Sequence, residues 1–252
     1  MKKILLLAMS IALFTSCEIH EEITFNKDGS GEYQMSIDMS AMMAMGKDSK
    51  KQKKDSLSPK KKPVVQDTIY KFSDILTEKK DSIARLSEKE QKILNELKDV
   101  IVKIHMDETK DEMTMAYVYP FQKISDLKNI QERLEKINKN SKEKEQIDNF
   151  LSEMPRTTVE YKFSNRKFRR KVRVLKTEKK DDEKENTENQ TGKMDKLYTM
   201  FRYKLIYHFP KKIKSVSYKD AMLSADGKTL IIELPFNKIA ENPELLDFEV
   251  KF

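Results

Sequence analysis

One cysteine, three histidines and 42 carboxylates are the side chains of this 252-residue chain from which catalysis or metal binding could be built. Their spacing is uninformative for chemistry. His20, His105 and His208 fall in no HExxH or other short ligand pattern. There is no GxSxG elbow and no phosphate loop, and only five glycines are available for one. A single cysteine excludes an intramolecular disulfide and any CxxC or multi-cysteine zinc chemistry. No two acids stand out by position, although a carboxylate dyad assembled only in space stays open. His105 and His208 alternate out of phase with the apolar residues beside them, which predicts solvent-facing strand positions. His20, three residues beyond Cys17, reads as a linker residue. The chemistry expected is therefore non-catalytic, with no cofactor and no metal.

Charge is the more promising signal. The formal charge is +8, with 37% charged residues against 38% hydrophobic. Arg166, Lys167, Arg169, Arg170, Lys171 and Arg173 form a compact cluster. Strand alternation places Arg169, Lys171 and Arg173 on one face, opposite Phe168, Val172 and Val174. Two readings fit: contact of Arg166, Lys167, Arg169, Lys171 and Arg173 with an anionic surface such as lipid headgroups, or a solvated edge strand guarded by charge. Arg170 shares the apolar parity and so needs a partner or an open edge. A second set, Met35, Met39, Met42, Met43 and Met45, suits either core packing or an adaptable apolar surface.

The elements that must position these residues begin with an export signal. Met1-Lys2-Lys3 is basic, and Ile4 to Phe14 is uncharged. That run is too short for a bilayer core of ~30 Å and has the form of a secretory signal peptide. Leu13-Phe14-Thr15-Ser16-Cys17 resembles the lipobox of bacterial lipoproteins. The resemblance implies cleavage before Cys17 and acylation of its thiol, so that residues 1–16 are a signal peptide and Cys17 is a lipidated, palmitate-type membrane anchor. Glu18, Glu21 and Glu22, with no Asp following Cys17, resemble the export pattern of Bacteroidota lipoproteins, which implies the outer membrane. The same glutamates also fit the solvated face of a strand.

The mature chain divides by composition into a hairpin at 17–45, a lysine-rich loop at 46–63, an α+β region at 64–175, a charged linker at 176–193 and a β-rich region at 194–252. The lysine-rich loop has Leu57 as its sole strongly apolar residue, and 176–193 has none. Neither offsets the ~1–2 kcal/mol per residue that ordering a backbone costs. Elsewhere period-two alternation dominates. Ile23 and Phe25 lead through Asp28-Gly29 to Tyr33, Met35 and Ile37, a hairpin signature. Val102 and Ile104 precede Met113, Met115, Tyr117 and Tyr119, a second hairpin. Val159, Tyr161 and Phe163 turn at Asn165 into the basic strand. Phe201, Tyr203, Leu205 and Tyr207 alternate, Leu230 and Ile232 follow Asp226-Gly227, and Phe248 and Val250 close the chain. Helical spacing is confined to Ile124, Leu127, Ile130, Leu134 and Ile137, to a Ser87/Glu90 capping box before Ile93, Leu94 and Leu97, and to a short turn at Met39–Met45. The predicted class is α+β: an antiparallel sheet built from hairpins with a few amphipathic helices.

The block from Phe209-Pro210-Lys211-Lys212-Ile213 through Ser224-Ala225-Asp226-Gly227 to Asn242-Pro243-Glu244-Leu245-Leu246, with the Asp28-Gly29-Ser30-Gly31 hairpin, resembles Bacteroidota lipoproteins. Its order of strand, Phe-Pro, basic turn and Asp-Gly hairpin is also similar to the LppM-type lipoprotein domain, which implies lipid binding in an envelope setting and transfers no catalytic residue. The expectation is a lipid-anchored envelope protein with a binding or structural role. Its partners are the membrane through Cys17 and either a lipid or glycolipid or, alternatively, an envelope protein complex that it scaffolds. Nucleic acid is not expected.

Overall fold

The computed structural model describes residues 17–41, 63–131, 157–175 and 201–252, together with Met43, Arg133, Leu134 and Thr199. In chain order the elements are β1 (Cys17–Phe25), β2 (Gly31–Asp38), β3 (Val65–Lys71), α1 (Phe72–Glu78), α2 (Lys80–Ile83), α3 (Glu88–Glu96), β4 (Ile101–Asp107) and β5 (Glu112–Phe121). A 3-10 turn over Ile124–Leu127 follows, then β6 (Thr157–Ser164), β7 (Lys167–Val174), β8 (Phe201–His208), β9 (Ser215–Val216), β10 (Met222–Leu223) and β11 (Thr229–Pro235). The chain ends with α4 (Phe236–Glu241), a 3-10 turn over Pro243–Leu246 and β12 (Phe248–Lys251).

The strands make two sheets, one of eight strands ordered β10-β11-β8-β1-β2-β5-β4-β3 and one of four ordered β6-β7-β12-β9. Local hairpins supply β1–β2, β4–β5, β6–β7 and β10–β11. Gly29 takes φ +89° in the first turn, a backbone conformation that L side chains rarely adopt. Gly31, at the foot of β2, has no room for a side chain: a Cβ there would stand 2.1 Å from the Thr24 carbonyl oxygen and 2.6 Å from the Phe121 ring. Ser87 caps α3 by accepting from the Glu90 N–H, and Glu90 accepts from the Ser87 N–H. Both halves of the capping box are therefore present.

One pairing departs from the antiparallel expectation. β1 runs parallel to β8, Cys17 opposite Phe201 and Ile23 opposite Tyr207. This joins segments almost two hundred residues apart, so no turn signal announces it. It makes β1 a central strand, flanked on both sides.

The core lies between the sheets and is aromatic. Phe25 stacks on Phe163 at 4.6 Å and on Phe209 at 5.4 Å, while Phe168 meets Tyr207 edge-on at 5.4 Å. Phe248 and Phe252 close the cluster. Such pairs add ~0.5–1.5 kcal/mol beyond their area burial, and here they join strands of both sheets. Met35 is half-buried against this core and Met39 is buried, so these two methionines serve packing. The 124–137 stripe begins as the 3-10 turn and resumes helically at Ile130, with Leu127, Ile130 and Leu134 buried. Residues 1–16, 46–62 and 176–193, with Met42, Met45 and Ile137, lie outside the described residues.

Candidate functional site

β1 carries the cysteine and three glutamates, and the fold accounts for each glutamate. Even positions of β1 face outward. Glu18 bonds His20, and Glu22 bonds His208 at 2.7 Å. His20 is therefore a strand residue paired across two positions, not part of a linker. Odd positions face the core, and among Cys17, Ile19, Ile23 and Phe25 stands Glu21, 0% exposed. The solvated-face reading holds for Glu18 and Glu22 and fails for Glu21.

Glu21 is the acceptor that Arg170 requires. Arg170 is 1% exposed. Its Nη2 donates to Glu21 Oε2 at 2.9 Å and its Nε to Glu21 Oε1 at 3.2 Å, the two-pronged geometry of an arginine–carboxylate pair. Tyr161 and Tyr203 each donate to the same carboxylate at 2.9 Å, Tyr207 donates through a short bond, and Gln131 donates at 3.2 Å. Six donors thus saturate one buried carboxylate. Arg170 Nη1 also donates to the Leu246 carbonyl at 3.0 Å. Burial works to raise the Glu21 carboxyl, but Arg170 and the tyrosine hydroxyls outweigh it and hold the group below the usual carboxylate range. Desolvation and the neighbouring Glu21 charge push the hydroxyls of Tyr161, Tyr203 and Tyr207 well above their ordinary range. Glu21 and Arg170 are sealed from solvent and fully engaged, which suits positioning rather than turnover, while the buried Tyr33 hydroxyl beside them has no hydrogen-bond partner among the described residues.

What it positions is β7. Arg170 points inward between Phe168 and Val172, and the Val172 N–H is taken by the Asp247 carboxylate at 2.6 Å. The opposite parity then has to face water. Lys167, Arg169 and Lys171 and Arg173 stand on that face, beside Lys162 of β6 and Lys251 of β12. Glu160 and Glu249 are the two acids among them. Glu160 accepts from Arg173 at 3.2 Å, and Glu249 pairs with Lys167. Arg173 holds the Glu160 carboxyl below its usual range, and Lys167 does the same for Glu249. Lys162, Arg169 and Lys171 form no direct ion pair among the described residues, although Glu160 attracts Lys162 and Arg169 and Glu249 attracts Arg169. Glu160, Lys162, Arg169, Lys171 and Arg173 line a shallow depression of about 100 Å³. Arg166 lies in the β6–β7 turn, outside the strand.

The remaining expected groups stand apart. Cys17 is the first residue of β1, buried at 0% exposure. His105 faces outward against Asp67 at 2.7 Å and Glu112 at 3.4 Å, and these bonds raise its pKa. Among the described residues no three of His, Cys, Asp or Glu converge as a metal-ligand set, and no helix is long and apolar enough to cross a membrane. Sequence reasoning missed Glu21. Its signal was partial: an acid on the apolar parity of β1 marks Glu21 as buried and in need of a partner, without saying which.

No protein-family model and no curated protein matches the chain. Among solved structures the chain is similar to the NMR structure of the folded domain of the Mycobacterium tuberculosis LppM protein. The TM-score is 0.37 and the identity 10%, covering 94% of this chain and 88% of that one. A likeness at that level carries no functional argument.

Proposed function

We propose that this chain is a lipid-anchored lipoprotein of the cell envelope with a non-catalytic binding or structural role, held in the membrane through acylated Cys17. The observation that carries the reading is positional. The cysteine that closes the apolar leader is also the first residue of the central strand β1. Anchor and fold meet at one residue, and because the Cys17 side chain is 0% exposed, a lipid there requires the first residue of β1 to turn out of the core. One acyl chain binds marginally and two bind stably, and a diacylglyceryl cysteine supplies two. The saturated Glu21 carboxylate supports a non-catalytic role, because its lone pairs are all engaged and it has no access to solvent.

The test is replacement of Cys17 by Ser. Acyl labelling is expected to vanish and the protein to leave the membrane fraction. Continued labelling of that variant would defeat the anchor.

A second reading, a scaffold for an envelope protein, is favoured by β3. It is an edge strand among the described residues, and it exposes Val65 and Ile69, the latter 71% exposed. An exposed apolar edge is a template for strand addition. A photo-crosslinker at Ile69 in intact cells is expected to capture a discrete partner on this reading; silence there would set it aside.

A further inference from the structure

The geometry points to the outer face of β6, β7 and β12 as a docking surface for an anionic membrane, engaging phosphate-bearing headgroups of the bilayer that holds Cys17. This deepens the anchoring proposal and rests on it for which membrane is met.

Three observations carry it. First, the charge is unbalanced. Lys162, Lys167, Arg169, Lys171, Arg173 and Lys251 share this face with two carboxylates, and those are already engaged by Arg173 and Lys167. Lys162, Arg169 and Lys171 form no direct ion pair among the described residues; Glu160 attracts Lys162 and Arg169, and Glu249 attracts Arg169, but two acids cannot balance six cations, and a positive surplus remains. Second, the cations are spread across three adjacent strands of one sheet. An extended array matches an extended anionic surface better than a single small anion. The depression they line is shallow, about 100 Å³, and its cations are strand side chains turned to solvent.

Third, the face is aimed. Phe168 of β7 packs on Phe25 of β1, and two residues later Arg170 bonds Glu21. Moving along β7 toward Arg173 therefore moves back along β1 toward Cys17. The C-terminal end of the basic strand points to the anchored end of the fold. Lys171 and Arg173 thus lie toward the anchored end, with Lys167 and Lys251 toward the far end. An anchor joined to a basic face that begins beside it is the two-signal arrangement that makes membrane attachment stable.

The experiment uses the full chain carrying Cys17→Ser, so that the thioether lipid contributes nothing. Its partition is measured onto vesicles of phosphatidylcholine alone and of phosphatidylcholine with phosphatidylglycerol. Neutral vesicles read any contribution of residues 1–16, and the anionic-to-neutral ratio reads the face. Each cation near an anionic surface contributes on the order of fivefold, so Lys162→Glu, Arg169→Glu and Lys171→Glu together are expected to cut the ratio on the order of a hundredfold. High salt is expected to abolish it. Reversal of Lys92, Lys98 and Lys103, which are exposed elsewhere, makes the same change in net charge and is expected to retain most of the preference.

An unchanged ratio in the face variant, or an equal loss in the control variant, overturns the proposal. Displacement from vesicles by inorganic phosphate at matched phosphate concentration also overturns it, in favour of a single-anion site. Failure of the anchor reads separately, as acyl labelling of the Cys17→Ser chain.

Discussion

Two faces of one strand treat the same kind of side chain in opposite ways. On the inner face of β7, Arg170 is buried and bonded by Glu21, Tyr207 and the Leu246 carbonyl. On the outer face, one residue away on either side, Arg169 and Lys171 stand opposite Glu249 and Glu160 without a direct ion pair among the described residues. The difference teaches that cationic character in β7 serves two separate ends. One cation joins the sheets, and the others are left available to something outside the fold.

The outer face of the large sheet sharpens the contrast. There the acids of β1 and β11 each have a local partner: Glu22 bonds His208, Glu18 bonds His20, and Glu233 pairs with Arg202. Solvating a sheet face therefore needs no surplus of one sign. The surplus on the small sheet lies beyond what solvation demands.

The largest effect is expected at the inner face. Arg170→Met leaves Glu21 buried without its countercharge, and breaking a buried pair from one side costs ~3–5 kcal/mol. A urea titration checks this. Adding Glu21→Leu is expected to restore part of the loss, because the uncompensated charge goes. Recovery stays partial because Tyr161, Tyr203 and Tyr207 then lose their shared acceptor.

The pH dependence separates the two states of Glu21. In the native chain its folded pKa lies below the ordinary value of 4.5. Its contribution is thus fully present above that value and is lost as pH falls through the folded pKa. In Arg170→Met, burial is opposed only by the hydroxyl bonds of Tyr161, Tyr203 and Tyr207, and the carboxyl is expected to rise. The folded state then binds more protons than the unfolded one, and this group's contribution falls as pH rises above the ordinary value. Stability measured across the acid range is expected to slope upward with pH in the native chain and to lose or reverse that slope in the variant. A parallel slope in both would remove the assigned role of the pair.

At the outer face the expectation is functional loss with little structural loss. The Lys162, Arg169 and Lys171 reversals set acids opposite Glu160 and Glu249, so a small drop in the denaturation midpoint is expected beside a far larger fall in membrane preference. The smallest effect belongs to Arg173→Ala. Its pair with Glu160 is exposed on both sides, and such pairs add little. An unchanged thermal midpoint is expected.

The alternating runs were legible because a strand with one wet face writes its parity into its own residues. Ile23 to Ile37 around Asp28-Gly29, Val102 to Tyr119, Val159 to Val174 around Asn165, and Leu223 to Leu230 around Asp226-Gly227 all pair as their turns demand. The capping box at Ser87 is local in the same sense. So is the demand of Arg170 for a partner or an open edge, since an arginine on an apolar parity cannot be buried alone.

By itself, then, the sequence determined the hairpins, the α+β class and the basic face of β7, and left Arg170 in need of a partner or an open edge. Tertiary structure alone decided that a buried acid, Glu21, meets that need. Glu21 lies 149 residues from Arg170, and nothing along the chain encodes a contact at that separation. The parallel β1–β8 pairing and the division into two sheets were decided in the same way. They follow from which apolar faces meet once the chain collapses, and many arrangements of the same hairpins bury the same residues. Turns and parities are properties of neighbouring residues, whereas partnership across sheets is a property of the packed whole.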